Sequence, residues 1–391
     1  MPSLAAGLVL LACSSGAQQP SLSPASAAEA VAMRILQFQS PDGAIAMDPV
    51  EPARNTRVVP YVGNYAAMGL IAAYTATKRT VLLQGALKWA RWYEKHLNAD
   101  GTTDDWAGPP GLWQSTGKRD STDAYAATYL TLLNRIFRAH QDRQWLEARK
   151  PFVEKAVSAI RLTLQPRGLT TAKPDWPVMY TMDNVETAIG LRSAATIAQA
   201  AGWLPLQRQA LRMAQAMEDG IASQLWDPSS ATFLVGLQTD GARLRAGSEW
   251  YPSVMANLMA AAWLPRSQRT SELFQRLYRQ YGSAIPIRGT TAEEASRLIW
   301  WGYAAGTYGT PELLNQIQSR LTALAAHVPA GCYPDALGHI CVLLTLERAP
   351  QRESPHAAPG RETMGRRRSK TSASQPTAPI STRNHERMDA R

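Results

Sequence analysis

A chain of 391 residues with 45% hydrophobic content can bury a sizeable core, in one large domain or two. The formal net charge is +10, yet residues 351–391 hold nine Lys/Arg against four Asp/Glu, so the body is only modestly basic. No basic helix face with interleaved aromatics argues for nucleic acid, and no Cys/His cluster has zinc spacing, so neither a nucleic-acid partner nor a metal or cofactor is expected.

The chain opens with an apolar run from residue 5 that ends in Leu-Ala-Cys13-Ser-Ser. It is too short to span a bilayer. It is similar to the end of a bacterial lipoprotein signal with Cys13 as the lipidated residue, although no Lys or Arg precedes it. That similarity implies an exported protein, periplasmic or in the outer membrane, which meets a membrane only through its lipid. Residues 1–26 are read as signal and linker.

Helices are expected over 27–39, 64–77, 80–97, 122–137, 145–164, 184–201 and 206–225. Further helices are expected over 251–263, 267–281, 290–306, 311–327 and 336–346. They alternate in character. Segments such as Asn64–Thr77 and the run after Asn184 are apolar on most faces and must be buried on most faces, whereas segments such as Thr80–Leu97 carry one charged face. The stretch from Thr232 to Gly241 reads as a β-hairpin. Beyond residue 348 the composition turns to Ser, Pro, Thr and Arg, and 349–391 is read as a disordered basic tail. Cys332 and Cys341 are either paired, as export would allow, or buried thiols.

Six buried helices alternating with six amphipathic ones predict an all-α protein, an (α/α)6 toroid of six helical hairpins over 27–348 with a small β-hairpin insertion. An open solenoid is the alternative, and it would lack the full contrast between inner and outer helices. In a toroid the inner helices start at one end of the barrel. The residues that precede or open them are Tyr61 and Asn64; Asp120 and Asp123; Asp183, Asn184 and Glu186; Glu249 and Trp250; Glu293 and Glu294; and Asp335. Carboxylates at one mouth, walled by Trp106, Trp113 and Trp176, suit a sugar: aromatic rings stack on its apolar faces while carboxylates bond hydroxyls or move protons. Asp123, Asp183, Glu186 and Glu249 are the candidates for catalysis. Tyr61, Asn64, Trp106, Asp120, Trp176, Asn184, Trp250 and Asp335 are the candidates for substrate binding. Acids at helix starts also act as caps, and Asp183-x-x-Glu186 and Thr291-x-x-Glu294 both have capping-box spacing.

The helix alternation, with Asp183-Asn-Val-Glu-Thr-Ala-Ile-Gly-Leu and Asp120-Ser-Thr-Asp-Ala-Tyr-Ala-Ala-Thr-Tyr-Leu, resembles the six-hairpin glycosidase superfamily over roughly residues 27 to 347. The second stretch is loosely similar to the Asp-rich helix start of family 8 cellulases, with Asp123 matching the final Asp of that pattern. Val62-Gly63 stands where those enzymes carry Glu-Gly, so their general acid has no equivalent here. The resemblance implies a glycoside hydrolase acting on an oligosaccharide or polysaccharide as a monomer, inverting through two carboxylates. A sugar-binding or assembly lipoprotein on the same toroid is the alternative. A polysaccharide lyase is the third reading, and it lacks a histidine at an inner-helix start.

Overall fold

The computed structural model describes residues 22–287, 289–309, 311–329 and 331–346. The expected signal around Cys13 and the basic tail from residue 349 lie outside the described residues.

Several helix starts differ from expectation, and at α1, α2 and α13 a first-turn proline is the reason. Helix α1 (Pro24–Ile35) starts where Ser23 caps the amide of Ser26 and Pro24 stands in the first turn. Helix α2 (Pro60–Thr77) starts at Pro60, four residues before the expected Asn64. Proline at the first helical position gives up an N–H that would have no partner there, and its fixed φ already suits the helix. After α3 (Thr80–Lys95) and α4 (Asp123–His140), the expected helix over 145–164 divides into α5 (Arg143–Glu147) and α6 (Lys150–Thr163), with Pro151 in the first turn of the second piece. The remaining helices are α7 (Thr181–Ala201), α8 (Leu204–Gly220), α9 (Met255–Trp263), α10 (Gln268–Tyr281), α11 (Ala292–Tyr308), α12 (Pro311–Ala326) and α13 (Pro334–Leu344).

The ring closes. Helix α2 packs on α4, α4 on α7, α7 on α9, α9 on α11, α11 on α13, and α13 returns to α2. The amphipathic helices form the outer layer: α3 and α6 flank α4, α8 lies along α7, α10 touches α9 and α11, and α12 touches α11 and α13. Helix α1 fills the remaining outer position against α2, α12 and α13. This is the (α/α)6 toroid, not a solenoid.

Small residues make the inner contacts close. A Cβ on Gly190 of α7 would lie 2.5 Å from the Ala127 Cα of α4. At the closure seam a Cβ on Gly338 of α13 would overlap the carbonyl of Tyr65 in α2, and one on Gly69 would overlap Gly338 itself. Trp89 of α3 lies flat against Gly63, so that glycine is explained by packing of an indole on the helix start.

The β structure exceeds the single expected hairpin. Strands β1 (Thr56–Val58), β2 (Trp106–Gly108) and β3 (Gln114–Ser115) form one antiparallel sheet. Strand β4 (Val178–Tyr180) enters α7, β5 (Trp226–Asp227) pairs with β6 (Thr232–Phe233), and β7 (Gly236–Gln238) with β8 (Arg243–Leu244) is the hairpin. That hairpin joins β4, with Met179 opposite Leu237, and the amide of Thr181 donates to the carbonyl of Val235 at 2.9 Å. The start of α7 is therefore fixed by a sheet. Strands of two or three residues are too short to show a period of two in sequence. Cys332 and Cys341 are both free thiols, the second fully buried.

Candidate active site

The starts of five of the six inner helices meet around a cavity of about 590 Å³. Tyr61 of α2, Tyr125 of α4, Asp183 and Glu186 of α7, Met255 of α9 and Asp335 of α13 all line it. A second lobe of about 450 Å³ extends outward past Lys173, Trp176 and Tyr180. The lobes share Asp120, Met182, Asp183 and Tyr251, which form a waist between them.

Asp183 projects into the waist from the first turn of α7. No other side chain among the described residues donates a hydrogen bond to its carboxylate. Burial raises its pKa well above the usual carboxylate range, and the charges of Asp123, Glu186 and Asp120 push in the same direction. It is not the N-cap: the helix begins two residues earlier at Thr181, so Asp183 and Glu186 do not form the capping box their spacing suggests. Thr291 and Glu294 do form one, which assigns Glu294 to capping.

Glu186 lies one turn further along the same face. It is 4% exposed, and it accepts hydrogen bonds from Tyr61 Oη at 2.7 Å and from Tyr65 Oη, both at Oε1. Burial pushes its pKa up to about 8, against the opposing effect of the two tyrosines. Near neutral pH it is mostly a carboxylic acid. Asp335 is largely buried, its Oδ1 has no partner among the described residues, and burial raises its pKa. Asp120 is exposed at the rim of the waist, and no side chain holds its carboxylate among the described residues. Trp176 is 46% exposed and walls the outer lobe, its Nε1 donating to Tyr180 Oη at 3.2 Å.

Six of the predicted residues thus come together: Tyr61, Asp120, Trp176, Asp183, Glu186 and Asp335. The others do not. Glu249 is exposed and lines neither lobe; the Ser253 hydroxyl donates to it, and that bond holds its carboxyl below the ordinary value. The cause is the wide turn Trp250–Val254, in which Tyr251 has extended φ −110° and ψ 132° and takes the place at the waist. Trp250 lies under the guanidinium of Arg297, 5.3 Å from its ring, outside both lobes. Asp123 is fully buried, accepting from Ser121 Oγ at 2.6 Å and the Ala124 amide at 2.8 Å within the start of α4, and from Thr170 Oγ1 at 2.6 Å, which ties that start to the loop before α7. Asn184 holds the same loop, accepting from the Thr170 amide at 2.8 Å and donating to the carbonyls of Thr170 and Tyr180. Asn64 accepts from Trp89 Nε1 at 3.0 Å and donates to the Tyr125 carbonyl and to Thr128, locking α2 to α3 and α4. Trp106 packs on Trp92 and His96, and Trp113 donates to Asp42 at 3.0 Å.

Among the residues not anticipated, four carry a phenol or a carboxyl: Tyr65 beneath the mouth cavity, and Asp105, Tyr125 and Tyr251 in its lining. Tyr65 follows Tyr61 by four residues, a spacing that puts both hydroxyls on one helix face. Asp105 is bonded by Tyr125 Oη at 2.8 Å and lies 3.7 Å from Arg57, while Tyr125 itself comes from the first turn of α4. The fourth is Tyr251, placed by the wide turn.

No protein-family model and no curated protein sequence matches the chain. Solved structures match it throughout the helical ring. An inactive variant of the α-1,6-mannanase GH76A of Salegentibacter sp. HEL1_6, in complex with α-1,6-mannotriose, superposes with a TM-score of 0.55 at 13% identity, covering 82% of this chain and 98% of that one. The GH63 mannosylglycerate hydrolase of Thermus thermophilus, in complex with glucose, gives 0.56 at 11% identity over 80% and 98%. A β-1,3-1,4-glucanase of Paenibacillus sp. X4 gives 0.56 at 9% identity over 82% and 90%. These likenesses show the (α/α)6 toroid fold.

Proposed function

We propose that the protein is a glycoside hydrolase that cleaves an oligosaccharide or polysaccharide threaded through the waist between the two lobes. The observation that carries this reading is that Asp120 and Asp183 are the two carboxylates common to both lobes. They come from the starts of neighbouring inner helices, so they would flank one glycosidic bond. Asp183, whose pKa is raised by burial and by the surrounding acids, is the proton donor to the leaving oxygen. Asp120, exposed at the rim, is the carboxylate that activates water. An acid and base about 6.5–9.5 Å apart would leave room for that water and invert the anomeric carbon. Glu186, beneath them, offers Oε2 to a sugar hydroxyl. Trp176 supplies a stacking face for the sugar in the outer lobe. The likeness to enzymes acting on mannan, mannosylglycerate and glucan supports a glycosidic substrate. The Leu-Ala-Cys13-Ser segment supports export with lipid on Cys13.

The test is a panel of α- and β-linked gluco- and manno-oligosaccharides, followed by chromatography and by NMR of the first product. Cleavage with inversion supports the assignment. Retention would put the nucleophile elsewhere, and saturable binding without any cleavage would make the chain a sugar-binding protein.

A further inference from the structure

A second chamber lies deeper in the barrel, beyond the floor made by Glu186 and Tyr65. Its volume is about 310 Å³, near the lower end for small-ligand sites. Glu186 is the residue it shares with the mouth cavity. The chamber is walled by rings. Tyr65 and His339 have centroids 4.3 Å apart, Trp263 and Tyr303 lie 5.4 Å apart, and Tyr65 and Trp263 are nearly parallel at 24°.

Arg135 of α4, one turn beyond Thr131 on the same face, also lines this chamber. Among the described residues it has no carboxylate within ion-pair distance, no hydrogen-bond acceptor and no ring beneath it. It is the one lysine or arginine among the lining residues, and the one carboxyl there, Glu186, is already held by two tyrosines. His339 Nδ1 lies 2.9 Å from Tyr303 Oη. Burial, aided by the Arg135 charge, holds the imidazole neutral, with its pKa pressed down to about 3. In the tautomer where Tyr303 donates to Nδ1, the proton is on Nε2, which has no hydrogen-bond partner among the described residues. The chamber therefore presents a guanidinium and an imidazole N–H between aromatic walls, with no group in place to accept from them. Donors without a protein acceptor, set beside aromatic walls, favour an acceptor of opposite charge.

We propose that this chamber binds a small planar anion, a carboxylate borne on a flat apolar ring, with Arg135 and His339 Nε2 holding the carboxylate and Tyr65 and Trp263 covering the ring. A competing account gives Arg135 a purely structural role: it answers the negative ends of the inner-helix dipoles. Under that account the chamber has no preference for an anion.

Isothermal calorimetry with sodium benzoate and with benzyl alcohol separates the two. Benzoate should bind the wild type about tenfold or more tightly than the alcohol, the margin of one charge-assisted bidentate contact. Arg135→Gln should abolish that preference, Arg135→Lys should keep part of it, and Val342→Phe, which fills this chamber alone, should remove benzoate binding. Equal affinity for the two probes, no saturable benzoate binding, or a preference that survives Arg135→Gln or Val342→Phe would overturn the proposal. None of these readings depends on turnover, so they stand apart from the hydrolase assignment.

Discussion

Glu186→Gln is a direct probe of the buried acid beneath the waist. The carboxyl titrates near 8 when folded against 4.5 ordinarily, because burial outweighs the two tyrosine hydrogen bonds. Between those values the folded chain keeps a proton that the unfolded chain has released. Stability is therefore full below about 4.5 and declines as pH rises through about 8. The window is roughly three and a half pH units at about 1.4 kcal/mol each, so on the order of 5 kcal/mol is lost across it and roughly 3 kcal/mol by pH 7. Glutamine keeps an oxygen for Tyr61 and Tyr65 and carries no charge at any pH. Urea unfolding of both proteins should give similar stabilities near pH 5, with the variant more stable by about 3 kcal/mol near pH 7. A difference between the two proteins that stays constant from about pH 5 to about pH 8 would refute the reasoning. It would mean that the tyrosine hydrogen bonds outweigh burial and that Glu186 is ionised in the folded protein.

Three other outcomes follow from the same geometry. Gly338→Ala should cost on the order of 2–3 kcal/mol in chemical denaturation, because its Cβ would press on the Tyr65 carbonyl where the ring closes; an unchanged midpoint would show that the α2–α13 seam can spread freely. Glu249→Gln should leave turnover unaltered, since its carboxylate faces solvent and Ser253, and a loss of turnover would return that residue to the site. Cys13→Ser should move the protein from the membrane fraction to the soluble periplasm in a Gram-negative host, and identical soluble fractionation of both forms would remove the lipid anchor from the account.

The helical ring was legible because burial on most faces leaves a strong signature: α2, α7 and α9 are rich in Ala, Gly, Leu and Met all round. The helix starts were less legible, since Pro24, Pro60 and Pro334 resemble breaks until they are seen as first-turn residues. Asp183 and Asp335 were readable as residues of the cavity lining because position in a first turn fixes where a side chain points. Glu249 was not, because the wide turn at Trp250–Val254 decides whether residue 249 or 251 reaches the waist. Asn64, Asn184 and Asp123 have the right residue types at the right height, yet each is consumed by partners on other elements that only the assembled barrel supplies. The chamber around Arg135 had no sequence signal, since its residues are spread over α2, α4, α7, α9, α11 and α13.

The central claim is a division of labour between Asp183 and Asp120, and it is tested by changing the leaving group. On a cleaved oligosaccharide, Asp183→Asn and Asp120→Asn should each lower kcat by about 10²–10⁴. On the dinitrophenyl glycoside of the same sugar, whose leaving group departs without a proton, Asp183→Asn should recover to within about tenfold of the wild type while Asp120→Asn stays inactive. If Asp183→Asn is equally impaired on both substrates, or if Asp120→Asn keeps wild-type turnover of the oligosaccharide, the waist is not where the bond is broken in the way described.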